Sequence, residues 1–526
     1  MFLWKTRGER CGGIVSSGLE TGCTMGTSQG AAKKVQKWTK SGSNRLKTAK
    51  KATVFSDAWL MIAGSTLKGI DMRTIRTLSR RRFMQTSAAV ALLPAVTRNV
   101  LGANDRLNIA GIGAGGKGAV DVPSVASENI VALCDVDTNN AAGVFKQFEK
   151  ATKYADFRDM LDKEKTIDAV TISTPDHIHA VAAVRAMRLG KHVYVQKPMA
   201  HSIPEARLMT QVAREMKVVT QMGNQGHSNN DTRRLVELIQ AGVLGNVREV
   251  HVWTDRAGQV WPQGDAAMAE LKAREGGKQP AHVNFDLWLG PRKERPFNSA
   301  YVPFRWRGFW DFGTGALGDM GCHNMDLAFW SLKLFGAVSA EAEVSDRHPE
   351  CGPAWAIATV HFPQRENLVP CKLVWYEAGK KPDAALAKMK ELPRNGTIMV
   401  GDKDTLYVPH YWGAGKFVSG AKVEDFSSMP VTIARHEGNT ANDGHMEARH
   451  HMEWIEAIKA NKPATALSNF DYAGPMTEGV LLANLAIRSG KKIEWDAKAM
   501  KVTNDVQANT LVHDHYRKGW ELGGMA

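Results

Sequence analysis

Apolar and polar positions change rhythm twice along this chain, and the changes mark out its regions. Up to residue 71 no apolar period is sustained, and Gly, Ser, Thr and Lys are frequent. Such a stretch buries too little apolar surface to offset the entropy of ordering it, which predicts a disordered leader over 1–71. From Leu107 to about Met222 short apolar runs alternate with helical stretches. The runs Ile130–Leu133, Asp168–Ser173, His192–Val195 and Val218–Met222 read as strands of a doubly wound parallel sheet. Longer segments follow at Val247–Trp253, Ala354–Phe362 and Lys372–Tyr376, alternating with period two and separated by larger insertions. They predict a second, α+β domain with a mainly antiparallel open sheet. The expected fold class is α/β, with domains over 104–227 and 228–526.

The first strand runs into Gly111, Gly113 and Gly116, the G-x-G-x-x-G spacing of a dinucleotide-binding turn. Gly111 is expected to allow the tight turn, Gly113 the approach of backbone N–H groups to a pyrophosphate, and Gly116 close helix–sheet packing. Asp135 follows Gly116 by 19 residues at the end of the next strand, where a carboxylate accepts hydrogen bonds from the adenosine ribose and repels a 2′-phosphate. NAD is therefore expected over NADP.

Two further loops fall at the carboxyl ends of strands, where ligands lie in open α/β sheets. Thr174-Pro175-Asp176-His177-Ile178-His179 should border the cofactor through Thr174 and His179, and Gln196-Lys197-Pro198 presents Lys197, expected both to border the cofactor and to hydrogen-bond a substrate hydroxyl. In the second domain Asp319, His323 and Asp326 recur at i, i+4 and i+7, on one face of a helix. A carboxylate four residues from an imidazole can orient it and raise its proton affinity, which suits a general base. His445, His450 and His451 read as a polar helix face, and no metal site is expected.

The formal charge of +14 points to an acidic partner only until it is located. Residues 1–103 carry 18 Lys and Arg against 4 Asp and Glu, and the remainder is balanced at 50 of each. Nucleic-acid or anionic-membrane binding by the folded part thus lacks electrostatic support. Within the basic region, Arg80-Arg81-Arg82-Phe83 precedes the apolar Ala88–Val96 and small residues near Gly102 and Ala103. This is the layout of a twin-arginine export signal over 72–103, which predicts a periplasmic or otherwise exported protein with no membrane segment after processing. Met72 lies just upstream, so 1–71 reads as an over-extended start. No C-x-x-C pair occurs among the six cysteines, and a Cys351–Cys371 disulfide is conceivable in an oxidising compartment.

Taken in order, these motifs resemble the glucose-fructose oxidoreductase, inositol dehydrogenase and rhizopine-catabolism (Gfo/Idh/MocA) family, especially its exported bacterial branch. The resemblance implies an N-terminal NAD-binding Rossmann domain and a C-terminal domain whose open sheet covers the active site and often mediates homo-oligomers. The family's Glu-Lys-Pro motif matches Gln196-Lys197-Pro198, its Asp-x-x-x-His motif matches Asp319 and His323, and its Trp-Arg pair looks like Trp306-Arg307, which the resemblance puts at the cofactor. Lys197 and His323 would then flank the reacting carbon of a sugar or polyol, with Asp319 tuning His323. Gln196 departs from the family's glutamate and removes a charge beside the lysine. The implied activity is NAD-dependent oxidation of a carbohydrate hydroxyl. Two alternatives are a glycosidase that oxidises its sugar transiently with tightly held NAD, and a non-catalytic sugar-binding protein on the same fold.

Overall fold

The computed structural model describes residues 106–410, 413–437 and 446–523. The expected leader and export signal, 1–103, lie outside them, as does His445. The first sheet is built from β1 (Asn108–Ile112), β2 (Asn129–Cys134), β3 (Thr152–Tyr154), β4 (Ala169–Ile172), β5 (His192–Val195) and β6 (Thr220–Met222). Its order is β3-β2-β1-β4-β5-β6 and every pairing is parallel. The order reverses between β1 and β4, which opens a crevice at their carboxyl ends.

Helices cover both faces because the strands are apolar on both. On one side lie Asp176–Arg188 and Ile203–Met216, the latter started by a capping box between Ser202 and Glu205. On the other, Trp454, Ile455 and Ile458 of the helix Met446–Lys459 pack on Leu107, Ile109, Tyr194 and Val219. The stretch beyond residue 228 thus supplies part of the first sheet's cover.

The second sheet adds β7 (Glu249–Trp253), β8 (Ser339–Val344), β9 (Ala356–Phe362), β10 (Cys371–Tyr376), β11 (Gly396–Val400), β12 (Thr405–Val408), β13 (Lys416–Phe417), β14 (Ile493–Asp496) and β15 (Lys501–Val502). Their order is β13-β12-β11-β7-β10-β9-β8-β14-β15. β9 buries every second residue, as its period-two sequence predicts. All pairs are antiparallel except β7 with β10. A parallel pair needs a long crossover, and the chain between these two strands includes the helix Gly315–Asn324. The helix Phe470–Ser489 packs against both Ile203–Met216 and β8–β9, joining the two halves through one core.

Cys134, Cys322, Cys351 and Cys371 are all free and buried. Cys351 and Cys371 belong to different core clusters, so the conceivable disulfide between them does not form. Among the described residues no helix is long and apolar enough to cross a membrane.

Candidate active site

A cavity of about 490 Å³ follows the crevice from the first sheet towards the second domain. At its start the chain turns so sharply that side chains are excluded. Gly113 has φ +80°, and a Cβ there would lie 2.8 Å from the Ser173 carbonyl carbon and oxygen. The close helix–sheet packing expected of Gly116 belongs instead to Gly111, whose Cβ would meet Val122 at 2.7 Å, and to Gly118, whose Cβ would meet the Gly113 oxygen at 1.8 Å. Gly116 contributes its positive φ of +53°. Gly113, Gly115 and Gly116 line the cavity, a cradle into which a phosphate can come close to backbone.

Asp135 leaves β2 beside this cradle. Its Oδ2 accepts from Gly115 N–H at 2.7 Å and its Oδ1 from Asp137 N–H at 2.8 Å. Each oxygen keeps a second lone pair for a ribose hydroxyl. Burial outweighs these hydrogen bonds and pushes the carboxyl up to about 6. Thr174 lines the cavity too, and among the described residues its buried Oγ1 has no hydrogen-bond partner, a fitting site for a nucleotide. The residues therefore fit a dinucleotide.

His179, expected at the cofactor, has another task. Its Nδ1 lies 2.8 Å from Pro198 O and its Nε2 2.9 Å from Thr174 O, so it sits between the loops after β4 and β5, and its neutral ring donates to one of the two carbonyls. His177 sits between Phe312 O and Trp288 O in the same way. Both rings are held below their ordinary pKa, chiefly by burial.

At the opposite end Lys197, Asp319, His323, Trp306 and Arg307 come together on the wall. Lys197 Nζ donates to Asp319 Oδ1 at 2.8 Å and to the Asp319 carbonyl at 2.7 Å. Arg307 Nε donates to the same Oδ1 at 3.2 Å, while its guanidinium lies 4.2 Å from the Trp306 ring and 4.3 Å from that of Phe304. Burial works against ionisation of Asp319, but Lys197 and Arg307 hold its carboxyl below the usual carboxylate range. His323 is buried, and desolvation together with the Lys197 charge outweighs Asp319 and lowers its pKa well below the ordinary histidine value. The net effect is opposite to the raised proton affinity expected from i, i+4 spacing. Asp326 leaves this group altogether. The helix ends at Asn324, and Asp326 opens the next one, where it accepts from Asn224 and Tyr472 and faces His227 at 3.0 Å.

Between the two ends sits a residue that sequence reasoning passed over. Asp121 is fully buried, and its Oδ2 accepts from Ser173 Oγ at 2.7 Å and from Gln196 Nε2 at 2.9 Å. Its Oδ1 faces Lys117 at 3.2 Å and His451 Nε2 at 3.3 Å. One carboxylate thus links the glycine turn, the ends of β4 and β5, and the helix Met446–Lys459. Gln196 is suited to this place, since a glutamate would set a second carboxylate against Asp121.

His450 and His451 are fully buried, not on a polar face. His450 bonds Ser228 Oγ and Met222 O, and His451 stacks on Tyr194 with centroids 4.1 Å apart. His451, Asp121 and Glu447 are spaced closely enough for a metal. Lys117 Nζ already stands among them, 2.8 Å from Glu447 and 3.2 Å from Asp121, and supplies the neutralising charge. Lys117 follows the fingerprint directly and was open to notice. Glu447 lies 330 residues away and gave no signal.

Two family models match this chain. The oxidoreductase family NAD-binding Rossmann fold covers residues 107–224, and the C-terminal alpha/beta domain of the same family covers 228–388. Among curated relatives, levoglucosan dehydrogenase of Pseudarthrobacter phenanthrenivorans is 24% identical over 231 residues, 43% of this chain and 49% of that protein. D-glucoside 3-dehydrogenase of Escherichia coli is 31% identical over 128 residues, 24% and 35% respectively. The chain spans less than half the length of the curated relatives it matches. A WlbA dehydrogenase from Bordetella pertussis, solved with NADH and UDP-GlcNAcA, has a TM-score of 0.52 at 17% identity, covering 75% of this chain and 99% of that one. An inositol dehydrogenase homolog from Azotobacter vinelandii, complexed with NADH and myo-inositol, has a TM-score of 0.50 at 16% identity, covering 74% and 99%. These likenesses are of fold. With both family models in order over more than half its length, the chain belongs to the Gfo/Idh/MocA oxidoreductase family.

Proposed function

We propose that this protein is an NAD-dependent oxidoreductase acting on a CH–OH group of a sugar, polyol or sugar derivative. One observation carries the reading: a single cavity is lined by the glycine cradle and Asp135 at one end and by Lys197, Asp319 and His323 at the other. NAD, when bound, supplies the nicotinamide carbon that takes up a hydride. The chain's own residues do the rest. Two of the three Lys197 N–H donors are held by Asp319, which leaves the third to meet a substrate hydroxyl. Its charge then stands where alkoxide character develops. His323, kept neutral by burial and by Lys197, is ready to accept the hydroxyl proton. Asp319 anchors the lysine and balances its charge. Asp135 supports NAD over NADP, because its carboxylate would repel a 2′-phosphate. Relatives bearing the names levoglucosan dehydrogenase, D-glucoside 3-dehydrogenase and inositol 2-dehydrogenase support a carbohydrate substrate.

Two expectations from the sequence belong to the same proposal: export directed by Arg80 and Arg81, and a homo-oligomer formed through the second sheet. The test of the activity is an NAD titration followed by a panel of sugars, polyols and glycosides with NADH absorbance as the readout. NADH formation with at least one member is expected. Failure of NAD to bind would overturn the proposal, and aglycone release without net NADH would reassign the protein as a redox-assisted glycosidase.

A further inference from the structure

The last described stretch of the chain returns from the second domain to the first and is fastened at every few residues. Asp514 Oδ2 lies 2.8 Å from both His201 Nδ1 and Arg292 Nη2, all three side chains being largely buried. Burial opposes the charge of Asp514, yet Arg292 and His201 hold its carboxyl well below the usual range. Tyr516 then donates to Glu205, and Arg517 Nη2 donates to Asp286 O at 2.6 Å. Arg188 bonds the carbonyls of Leu522 and Gly523, each at 2.7 Å.

Between these anchors Trp520 is only 7% exposed and lines the cavity. The Arg158 guanidinium lies 3.9 Å from its ring and Phe157 meets it edge-on at 6.0 Å. Phe157, Ile178 and Leu287 line the same end of the cavity. These apolar side chains share this end with Asp156, which pairs with the Arg158 on the indole, and Arg517 lies 5.7 Å from the same ring. Phe157 follows β3, the neighbour of β2 in the sheet, so this end lies on the Asp135 side, away from β5 and Lys197. A carboxylate at the end of β2 marks the adenosine ribose. The base attached to that ribose must therefore go beyond Asp135, away from the chemistry.

We propose that Trp520 is an adenine-binding residue, so that the C-terminal segment, which lies beyond the two family models, forms part of the cofactor site. The proposal rests on NAD binding in this cavity and adds the adenine contact to it. The indole gives the base a rigid apolar wall, and the anchors at Asp514, Tyr516 and Arg517 hold that wall before the cofactor arrives.

The experiment measures NAD, AMP and nicotinamide mononucleotide binding to the full chain and to Trp520→Ala and Trp520→Phe. Trp520→Ala should weaken NAD and AMP about tenfold, within the range for loss of an aromatic wall against a base. It should leave nicotinamide mononucleotide unchanged, and Trp520→Phe should recover most of the loss. Equal weakening of both fragments, or unchanged AMP affinity, would overturn the assignment. Should Trp520→Ala not fold, photolabelling of the unmodified protein with 8-azido-AMP decides. Adducts on the peptide carrying Trp520 support the inference, and adducts confined to other peptides sink it. If the unmodified protein binds neither NAD nor AMP, the failure belongs to the underlying NAD reading.

Discussion

The two ends of the cavity are built on different principles. The cofactor end is made from consecutive residues of one turn, Gly111 to Gly118, in which Gly111, Gly113, Gly115 and Gly118 leave no room for a Cβ. The chemical end is made from residues 122 apart, Lys197 and Asp319, held by charge. The first fails by steric exclusion and the second by loss of a counter-ion. Substitutions should therefore separate binding from chemistry.

The largest effect expected at the cofactor end is from Gly113→Ala. A Cβ 2.8 Å from the Ser173 backbone, at φ +80°, must move the turn. NAD affinity measured by titration should fall on the order of 100-fold, given about 3 kcal/mol of strain and lost contacts. A near-normal affinity would show that the cradle is not the phosphate site. At the chemical end, Asp319→Asn leaves Lys197 and Arg307 largely buried without their shared counter-charge. Urea unfolding should register a loss of about 3 kcal/mol, as for other buried pairs broken from one side. Unchanged stability would mean that solvent already screens the cluster.

How much of each end was legible in the sequence follows from the same contrast. The cradle, Asp135 and the strand runs lie close together in the chain, so spacing alone located them. Lys197 was located by its place at a strand's carboxyl end and Asp319 and His323 by helical spacing, with the family motifs adding their roles, and the geometry of their contacts was not legible. Helical spacing predicted that Asp319 would raise the proton affinity of His323, but Asp319 bonds Lys197 and Arg307, and burial dominates the imidazole. The same spacing joined Asp326 to the group because the helix end at Asn324 carries no sequence stop that was recognised. His450 and His451 looked polar because their cover, Tyr194, Met222 and Asp121, comes from the other end of the chain. Asp121 and Glu447 were missed for the same reason.

Smaller effects sharpen the comparison. Asp135 has its carboxyl pushed up to about 6 by burial, and it must be ionised to accept from both ribose hydroxyls. Protonation below that pH removes acceptor capacity, so NAD affinity should be flat above about pH 6 and fall as pH drops through it. The loss at pH 5 should be up to about tenfold, one unit below the transition. Titrations at pH 5 and pH 7.5 check this, and an Asp135→Asn variant should lose the dependence. If the variant retains it, another group is responsible. Gln196→Glu sets two carboxylates against each other at Asp121 and should cost about 1–2 kcal/mol in urea unfolding. Adding Asp121→Asn restores a donor opposite an acceptor and should recover part of that loss. Absence of any coupling between the two substitutions would remove Asp121 from its linking role.

The measurement that tests the division of labour most directly is the pairing of NAD titration with steady-state turnover for Lys197→Ala. Lys197 touches the cavity beside His323 and not beside the glycine cradle. On the best substrate of the panel, turnover should fall on the order of 100-fold or more, as for removal of a donor that stabilises developing negative charge. NAD affinity should stay within about twofold, a difference of roughly 0.4 kcal/mol. Near-normal turnover, or a loss of activity matched by an equal loss of NAD affinity, would contradict the account.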